Sequence, residues 1–166
     1  MSEKSVRRLQ IARAEMKRLE GIVQNFLRFS RPPTLHLLKV SPNDLLTRVV
    51  DLVAPEARDQ GIDLALDLQT SLPSVLIDEN QLSQALLNVI INAFQAVLAD
   101  ASVLLHTKVE SDSVIFEVAD NGCGIAPQDM EHIFEYYYTT KDEGTGLGLS
   151  IAQRIVHHHG GTLELE

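Results

Sequence analysis

The 166-residue sequence predicts a two-layer α+β sandwich preceded by one long N-terminal helix. One observation is the alternation of apolar and polar residues over 62–69, which is typical of a half-buried strand. Another is a pair of strand patterns near 102–109 and 113–119, separated by a short turn. Helical patterns between these strands need a sheet to cover their apolar stripes. We therefore expect adjacent antiparallel strands with helices on one face.

Residues 3–30 are predicted to form one long helix. Its apolar residues recur at alternating spacings of three and four, as in a coiled-coil or helix-bundle seam: Leu9, Ala12, Met16, Leu19, Val23 and Phe26. A single helix cannot bury such a stripe, so we expect self-association through this helix, as a dimer or a tetramer. Pro32 and Pro33 end the helix because proline has no amide donor.

Local signals define most of the later elements. Ser41 can cap a helix, and Pro42 suits its first position. This helix runs to about Gln60, with a bend near Pro55, and Gly61 ends it. The other predicted elements are an extended piece over 34–40, a helix over 79–99 capped by Asp78, short helices near 128–134 and 147–159, and a last strand from Thr162.

Charge is unevenly distributed along this chain of net charge −9. Residues 1–31 hold eight basic and three acidic residues, whereas residues 32–166 hold six basic and twenty acidic residues. The acidic part would repel nucleic-acid phosphates, and the basic part is better explained as a solvated helix face, so no nucleic-acid partner is expected. No run of about 18 apolar residues predicts a membrane span. The lone Cys123 fits a reducing, cytoplasmic location.

The helix over 79–99 has an uncharged polar face. No residue from Gln81 to Ala99 is charged, and amide side chains form a stripe opposite the apolar face: Gln84, Asn88, Asn92 and Gln95. Amide oxygens can bind a metal ion without the cost of burying a charge. An ordinary polar helix face is the alternative.

Two glycine-rich loops are candidates for ligand contact. Asp120 ends a strand and is followed by Gly122 and Gly124, so backbone can approach a flat ligand while the carboxylate accepts from an exocyclic amine. A tight Asn-Gly turn is the alternative. The second loop, 144–148, runs into a helix whose N-terminus favours anions, although a flexible loop explains it equally well.

Three other features carry weaker signals. Lys141 precedes the second loop and could contact a phosphate, or it could be a solvated lysine. The consecutive tyrosines 136–138 are expected to pack a lid or a partner surface. The run His157, His158 and His159 is not expected to bind one metal ion, because consecutive helical residues point in different directions. A helix end before two glycines explains that run better.

Four segments in this order carry a family resemblance: residues 88–92, 120–125, 134–141 and 144–150. Together they resemble the ATP-binding domain of sensor histidine kinases of two-component signalling, and most closely its nitrogen-regulation-like subgroup. This domain belongs to the GHKL superfamily shared with gyrase, Hsp90 and mismatch-repair ATPases. The resemblance implies the Bergerat ATP-binding fold over 32–166 and the second helix of a dimerisation hairpin over 1–31.

The resemblance also implies ligands and their residues. ATP and Mg²⁺ are the expected ligands, with Asn92 as the metal ligand. The other implied nucleotide contacts are Asn88, Asp120, Gly122, Gly124, Lys141, Gly144, Thr145, Gly146, Leu147 and Gly148. Gln95 stands where some relatives carry a cation, and Tyr136 replaces a usual proline. A response regulator is the implied partner of the full-length protein, whose parent can be membrane-anchored.

The implied activity is transfer of the γ-phosphate of ATP to a histidine. Hydrolytic relatives have a glutamate where Asn88 stands, and an amide cannot act as that general base. The first dimerisation helix, which carries the phosphoacceptor histidine in the family, is absent, so we do not expect this chain to autophosphorylate alone. The last strand of the domain is expected to be truncated. The alternatives are a non-catalytic nucleotide-binding or interaction module and a gyrase- or Hsp90-type ATPase.

Overall fold

The computed structural model of this protein describes residues 34–98, 100–141 and 144–165. Residues from Leu35 onward form one compact unit. Its described elements are β1 (Leu38–Val40), α1 (Pro42–Gln60), β2 (Asp63–Leu68), β3 (Val75–Ile77), α2 (Glu79–Ala96), β4 (Ser102–Glu110), β5 (Ser113–Asp120) and α3 (Gly148–His158). The predicted helix over 3–30 and its self-association lie outside the described residues. No helix within the described ranges is long and apolar enough to cross a membrane.

Helix α1 begins and ends where its local signals predict. Ser41 is the N-cap, and its Oγ accepts a hydrogen bond of 3.3 Å from the backbone N–H of Asp44. Pro42 occupies the first turn, where a missing N–H costs nothing. Gly61 has a φ of +70°, the left-handed conformation that terminates a helix.

The main sheet is mixed, with β4 between β2 and β5. The expected antiparallel pairing holds for β4 and β5, from Val103 opposite Asp120 to Glu110 opposite Ser113. Strand β2 runs parallel to β4 instead. The chain crosses from β2 to β4 through β3 and α2, and such a crossover returns it to the same end of the sheet. Strands β1 and β3 form a separate antiparallel pair.

The helices cover one face of the main sheet, which confirms the predicted two-layer α+β arrangement. Val103 and Leu105 of β4 point toward the helices and are fully buried, whereas Leu104 on the opposite face is 41% exposed. Leu46 of α1 and Ile90 of α2 are also fully buried and belong to the same apolar cluster. This core fixes the position of α2, whose other face is polar.

Three predicted elements differ in the structure. Residues 128–134 form successive turns rather than a helix, because most of their backbone bonds join residues three apart, such as His132 N–H to Asp129 O. Residues 162–165 are not a strand, since no ladder pairs them with the described sheets. Helix α2 ends at Ala96 rather than near 99. Strand β3 was not predicted, because its three residues are too few to show an alternation.

Candidate functional site

The amide stripe of α2 faces the start of α3. Asn88 and Asn92 are half-buried. The Nδ2 of Asn88 donates a hydrogen bond of 3.1 Å to the carbonyl of Gly148, the first residue of α3. A Cβ added at Gly148 would lie 4.0 Å from the Asn88 Cβ, an ordinary van der Waals contact, so the two residues are close neighbours. Asn88 therefore joins two helices that are 60 residues apart in the chain.

Lys141 reaches across to the other end of this stripe. Its Nζ donates to Asn92 Oδ1 at 2.7 Å and to Gln95 Oε1 at 3.0 Å. A longer contact of 3.5 Å joins the same Nζ to the Asn92 carbonyl oxygen. The family resemblance implies that Gln95 stands where some relatives carry a cation. In this structure the ammonium of Lys141 lies beside Gln95. Sequence reasoning singled out each of these residues but not their contact.

Burial lowers the pKa of the Lys141 ammonium below its ordinary value, and electrostatic interactions with Cys123 and Asp120 oppose this effect only in part. Both opposing effects come from the loop after β5, which starts at Asp120. The structure thus brings together three parts of the predicted site: the amide stripe, Lys141 and the Asp120 loop.

The loop after β5, residues 120–124 (the β5 loop), is held by backbone atoms. Asp120 Oδ1 accepts from the Gly122 N–H at 2.9 Å, and the Cys123 N–H donates to the carbonyl of Ala96 at 3.1 Å. Ala96 is the last residue of α2, so this bond joins the loop to the end of the amide-bearing helix. A Cβ at Gly122 would lie 2.6 Å from the Ala96 oxygen, and only glycine fits there.

Asn121 adds a second attachment that sequence reasoning missed. Its Oδ1 accepts from the Ser102 N–H at 2.9 Å, and its Nδ2 donates to the Asp100 carbonyl at 2.8 Å. Both partners precede or begin β4, so the loop is fixed to the sheet as well as to α2. The tight Asn-Gly dipeptide was the only signal at this position, and it does not reveal the partners.

The residues 144–148, here called the glycine segment, lead into α3. Gly146 has a φ of +65°, and its carbonyl accepts from the Tyr137 N–H at 2.9 Å. A Cβ at Gly146 would lie 2.6 Å from the backbone carbonyl oxygen of Tyr138, so the backbone of the tyrosine run packs closely on the backbone of Gly146. Thr145 is exposed and Leu147 is buried.

Helix α3 starts without a side-chain cap. Leu147 is its N-cap residue and makes no capping hydrogen bond, in contrast to Ser41 of α1 and Asp78 of α2. The first N–H groups of a helix have no partner within the helix and carry the positive end of its dipole. The start of α3 therefore suits an anion.

A tyrosine clasp precedes Lys141 and consists of Asp129, His132, Glu135 and Tyr138. Tyr138 Oη donates to Asp129 Oδ1 at 2.6 Å, and His132 Nδ1 lies 2.8 Å from Glu135 Oε1. The hydrogen bond to Glu135 raises the pKa of His132, and the bond to Asp129 raises the pKa of Tyr138. This network holds the turns that replace the predicted helix over 128–134.

The histidine run at the end of α3 is structural at one position. His159 Nε2 accepts from the Asp78 N–H at 3.0 Å, and His159 Nδ1 lies 2.7 Å from the Ile155 carbonyl. Because Nε2 accepts, Nδ1 must be the donor to Ile155. No group of three or more His, Cys, Asp or Glu side chains that could hold a metal ion occurs in the described part of the chain.

Asp78 caps α2 beneath this contact. Burial raises the pKa of its carboxyl, but hydrogen bonds from the backbone of His36 and from Gln81 outweigh this effect, so the pKa lies below its ordinary value. The His159 contact therefore joins the end of α3 to the start of α2. The Asn88 contact joins the middle of α2 to the start of α3. The sequence did not predict the contact between Asp78 and His159, because the two residues are 81 positions apart.

A cleft of about 350 Å³ opens on α3 but contains none of the predicted site residues. Its lining includes Tyr136, Ser150, Gln153, Arg154, His157 and His158. Among the predicted residues, Asp120, Gly124 and Thr145 are exposed, and Leu147 is buried. The candidate site is therefore defined here by the hydrogen bonds among Asn88, Asn92, Lys141 and Gly148 and not by this cleft.

Comparisons with known proteins identify the family of the chain. Residues 77–166 match the family model described as histidine kinase-, DNA gyrase B-, and HSP90-like ATPase. The chain is similar to the sensor histidine kinase ZraS of Salmonella typhi, with 36% identity over 158 residues, covering 95% of this chain and 34% of that protein. The chain thus spans about a third of the length of this curated relative.

Solved structures show the same relationship. Full-length ShkA in complex with AMPPNP has a TM-score of 0.82 and 33% identity, covering 96% of this chain and 35% of that one. The histidine kinase ThkA in complex with the response regulator protein TrrA has a TM-score of 0.80 and 26% identity, covering 97% of this chain and 46% of that one.

Proposed function

Because this chain belongs to the family of histidine kinase-, DNA gyrase B- and HSP90-like ATPases, we propose that it is the ATP-binding catalytic part of a sensor histidine protein kinase. One observation carries the proposal: Lys141 donates to Asn92 of the amide stripe, and the β5 loop is hydrogen-bonded to Ala96 at the end of the same helix. Each of the three offers a group that a magnesium-bound nucleotide needs. AMPPNP in the similar ShkA structure supports ATP as that nucleotide.

Asp120 is proposed to recognise the adenine base. The bond from the Gly122 N–H fixes the carboxylate at the end of β5, and the residue is exposed. An exocyclic amine can donate to the remaining acceptor positions of this carboxylate. Gly122 and Gly124 present backbone without side chains, so a flat base can pack closely on the loop.

The phosphates are proposed to lie at the start of α3. Thr145, Gly146, Leu147 and Gly148 supply backbone N–H groups there, whereas the Gly144 N–H is bonded to the Lys141 carbonyl. The helix start has no side-chain cap, so its amides and its dipole favour an anion. Lys141 adds a positive charge beside the glycine segment in a domain that is otherwise strongly acidic.

Asn92 is proposed to hold Mg²⁺, with Asn88 at the edge of the same site. The donor set fits this ion, because the side-chain oxygens of Asn92 and Gln95 hold a cationic group, the Lys141 ammonium. When bound, the ion supplies charge that offsets the phosphates. Asn92, held on α2, would fix the position of the ion.

Asn88 favours transfer to another nucleophile over hydrolysis. Its Nδ2 is a donor to the Gly148 carbonyl, and an amide cannot take a proton from water as a general base. In the proposed reaction, an imidazole nitrogen forms a bond to the γ-phosphorus, and the bond from that phosphorus to the bridging oxygen breaks to release ADP. The work of this chain is positioning and charge stabilisation.

The acceptor histidine and the partners follow from this proposal. The acceptor would be on a dimerisation hairpin, which the helix predicted over 3–30 would join by self-association. The ThkA structure contains a response regulator protein, and we propose a response regulator receiver domain as the onward partner here. A reaction that consumes ATP and signals to such a regulator fits a cytoplasmic location.

Phosphotransfer in trans tests the proposal. The full chain is mixed with γ-labelled ATP, Mg²⁺ and a separate dimerisation hairpin that carries a histidine box. Label is expected on the histidine, with loss in Asn92→Ala and retention in Asn80→Ala, an exposed asparagine of the same helix. Binding without transfer would favour the non-catalytic module. ATP turnover by the chain alone, lost in Asn88→Ala, would favour a gyrase- or HSP90-type ATPase.

A further inference from the structure

We infer that Lys141 and the divalent cation compete for the side-chain oxygen of Asn92, so that Lys141 sets how much magnesium the site requires. This inference rests on the proposed function, because it assumes that Asn92 is the metal ligand. It adds a specificity-determining role for a lysine that is otherwise expected only to face phosphate.

The contacts of Lys141 are those of a bound cation. Two side-chain oxygens, Asn92 Oδ1 at 2.7 Å and Gln95 Oε1 at 3.0 Å, accept from its Nζ. An ammonium has three donors and no acceptor, so it satisfies neutral amide oxygens in the way that a metal ion does. The shorter of these contacts has the length of a charge-assisted hydrogen bond.

The ammonium is held without a direct ion pair. Within residues 34–98, 100–141 and 144–165, no carboxylate lies within 4.0 Å of Lys141 Nζ. A lysine at the surface of an acidic domain has many carboxylates to choose from, yet this one contacts amides in a half-buried position. The amides therefore form a cation site that this chain fills with its own side chain.

A metal ion and the ammonium cannot both use Asn92 Oδ1 favourably. Magnesium binds an oxygen at roughly 2.0–2.1 Å, which is closer than the ammonium. Two like charges on one oxygen repel each other strongly in a partly buried site. Binding of the ion therefore requires the ammonium to leave Asn92, and the metal-free protein keeps the oxygen satisfied until then.

The backbone of Lys141 extends the effect to its neighbours. Its N–H donates to Thr139 Oγ1 at 3.1 Å, and its carbonyl accepts from the Gly144 N–H at 3.1 Å. Displacement of the ammonium removes the contact between this turn and α2. Metal binding at Asn92 is thereby coupled to the position of the turn at Lys141, which is bonded to the start of the glycine segment at Gly144.

Manganese alone provides the first test, because its paramagnetism broadens nearby NMR signals. The full chain is titrated with Mn²⁺ while the side-chain amide of Asn92 is followed. In Lys141→Met, broadening is expected at about tenfold lower Mn²⁺, the factor that matches loss of one hydrogen bond to a charged group. Lys39→Met is the matched control, since Lys39 is an exposed lysine on β1.

Equal Mn²⁺ requirements in Lys141→Met and Lys39→Met would overturn the inference. Lys141→Gln provides a second neutral variant if the methionine variant does not fold. A parallel titration with a non-hydrolysable ATP analogue separates the two proposals. Failure of the wild type to bind the analogue counts against the proposed function, whereas analogue binding with an unchanged metal requirement counts against the role of Lys141 alone.

Discussion

The two walls of the candidate site are held in different ways. The β5 loop is fixed to main-chain atoms of α2 and β4, through the bond from the Cys123 N–H to the Ala96 carbonyl and the bond from the Ser102 N–H to the Asn121 side chain. The opposite wall, from the tyrosine clasp to the glycine segment, depends largely on side chains, and Lys141 makes its contact with the amide stripe. The β5 loop is therefore bonded to the backbone of the main sheet and α2, whereas the other wall contacts α2 through the Lys141 side chain.

The difference matches the chemistry proposed for each wall. An adenine base has one shape and one set of donors, so a rigid loop can be complementary to it at all times. Phosphates and their metal ion change during transfer, and side-chain contacts can be exchanged without unfolding. In the inferred exchange, the Lys141 ammonium contacts Asn92 first and the metal ion replaces it.

Asp120→Asn is expected to have the largest effect because it acts on the rigid wall. An amide offers one acceptor oxygen and a misplaced donor, so ATP affinity should fall by about 2 kcal/mol, or roughly thirtyfold. Calorimetric titration with a non-hydrolysable ATP analogue measures the change. Asp112→Asn, in the exposed turn between β4 and β5, is the control; equal affinities in the two variants would remove Asp120 from the base site.

Gly122→Ala should break the rigid wall itself. Its Cβ would lie 2.6 Å from the Ala96 oxygen and 2.7 Å from Asp120 Oδ1, so the loop must shift. We expect a loss of about 1–2 kcal/mol in the free energy of unfolding, measured in urea, together with weaker nucleotide binding.

Gly124→Ala is the matched control for this substitution. Its φ of +69° makes alanine strained, but nothing lies within 4 Å of the added Cβ. The loss of analogue affinity should therefore be smaller than in Gly122→Ala. A larger loss in Gly124→Ala would show that the close approach of Gly122 to α2 is not what holds this wall.

The smallest predicted effect concerns the tyrosine clasp and pH. The hydrogen bond and charge of Glu135 raise the pKa of His132. A raised pKa means that the pair stabilises the fold fully below the unfolded-state pKa and stops doing so as pH rises through the folded-state pKa. An NMR titration of His132 should show a lower midpoint in Glu135→Gln than in Glu131→Gln. A wild-type midpoint in Glu135→Gln would rule out the pair.

Sequence reasoning succeeded where a signal is local. Ser41, Pro42 and Gly61 fix the ends of α1 because each satisfies a requirement of its own turn. The unbroken run of uncharged residues in α2 likewise pointed to Asn88 and Asn92, whose positions follow from helical periodicity alone.

Contacts between distant residues could not be predicted in the same way. Lys141 and Asn92 are 49 residues apart, and His159 and Asp78 are 81 apart, so the fold alone decides their meeting. The turns over 128–134 were mistaken for a helix because their spacing is helix-like, while the Tyr138–Asp129 bond that holds them comes from outside that stretch.

We propose that the β5 loop, the amide stripe and the glycine segment form a magnesium-dependent nucleotide site. The most direct measurement is calorimetric titration of the full chain with a non-hydrolysable ATP analogue, with and without Mg²⁺. We predict binding of one nucleotide per chain that is clearly tighter with Mg²⁺. Absence of binding in a folded sample, or equal affinity with and without the ion, would contradict the claim.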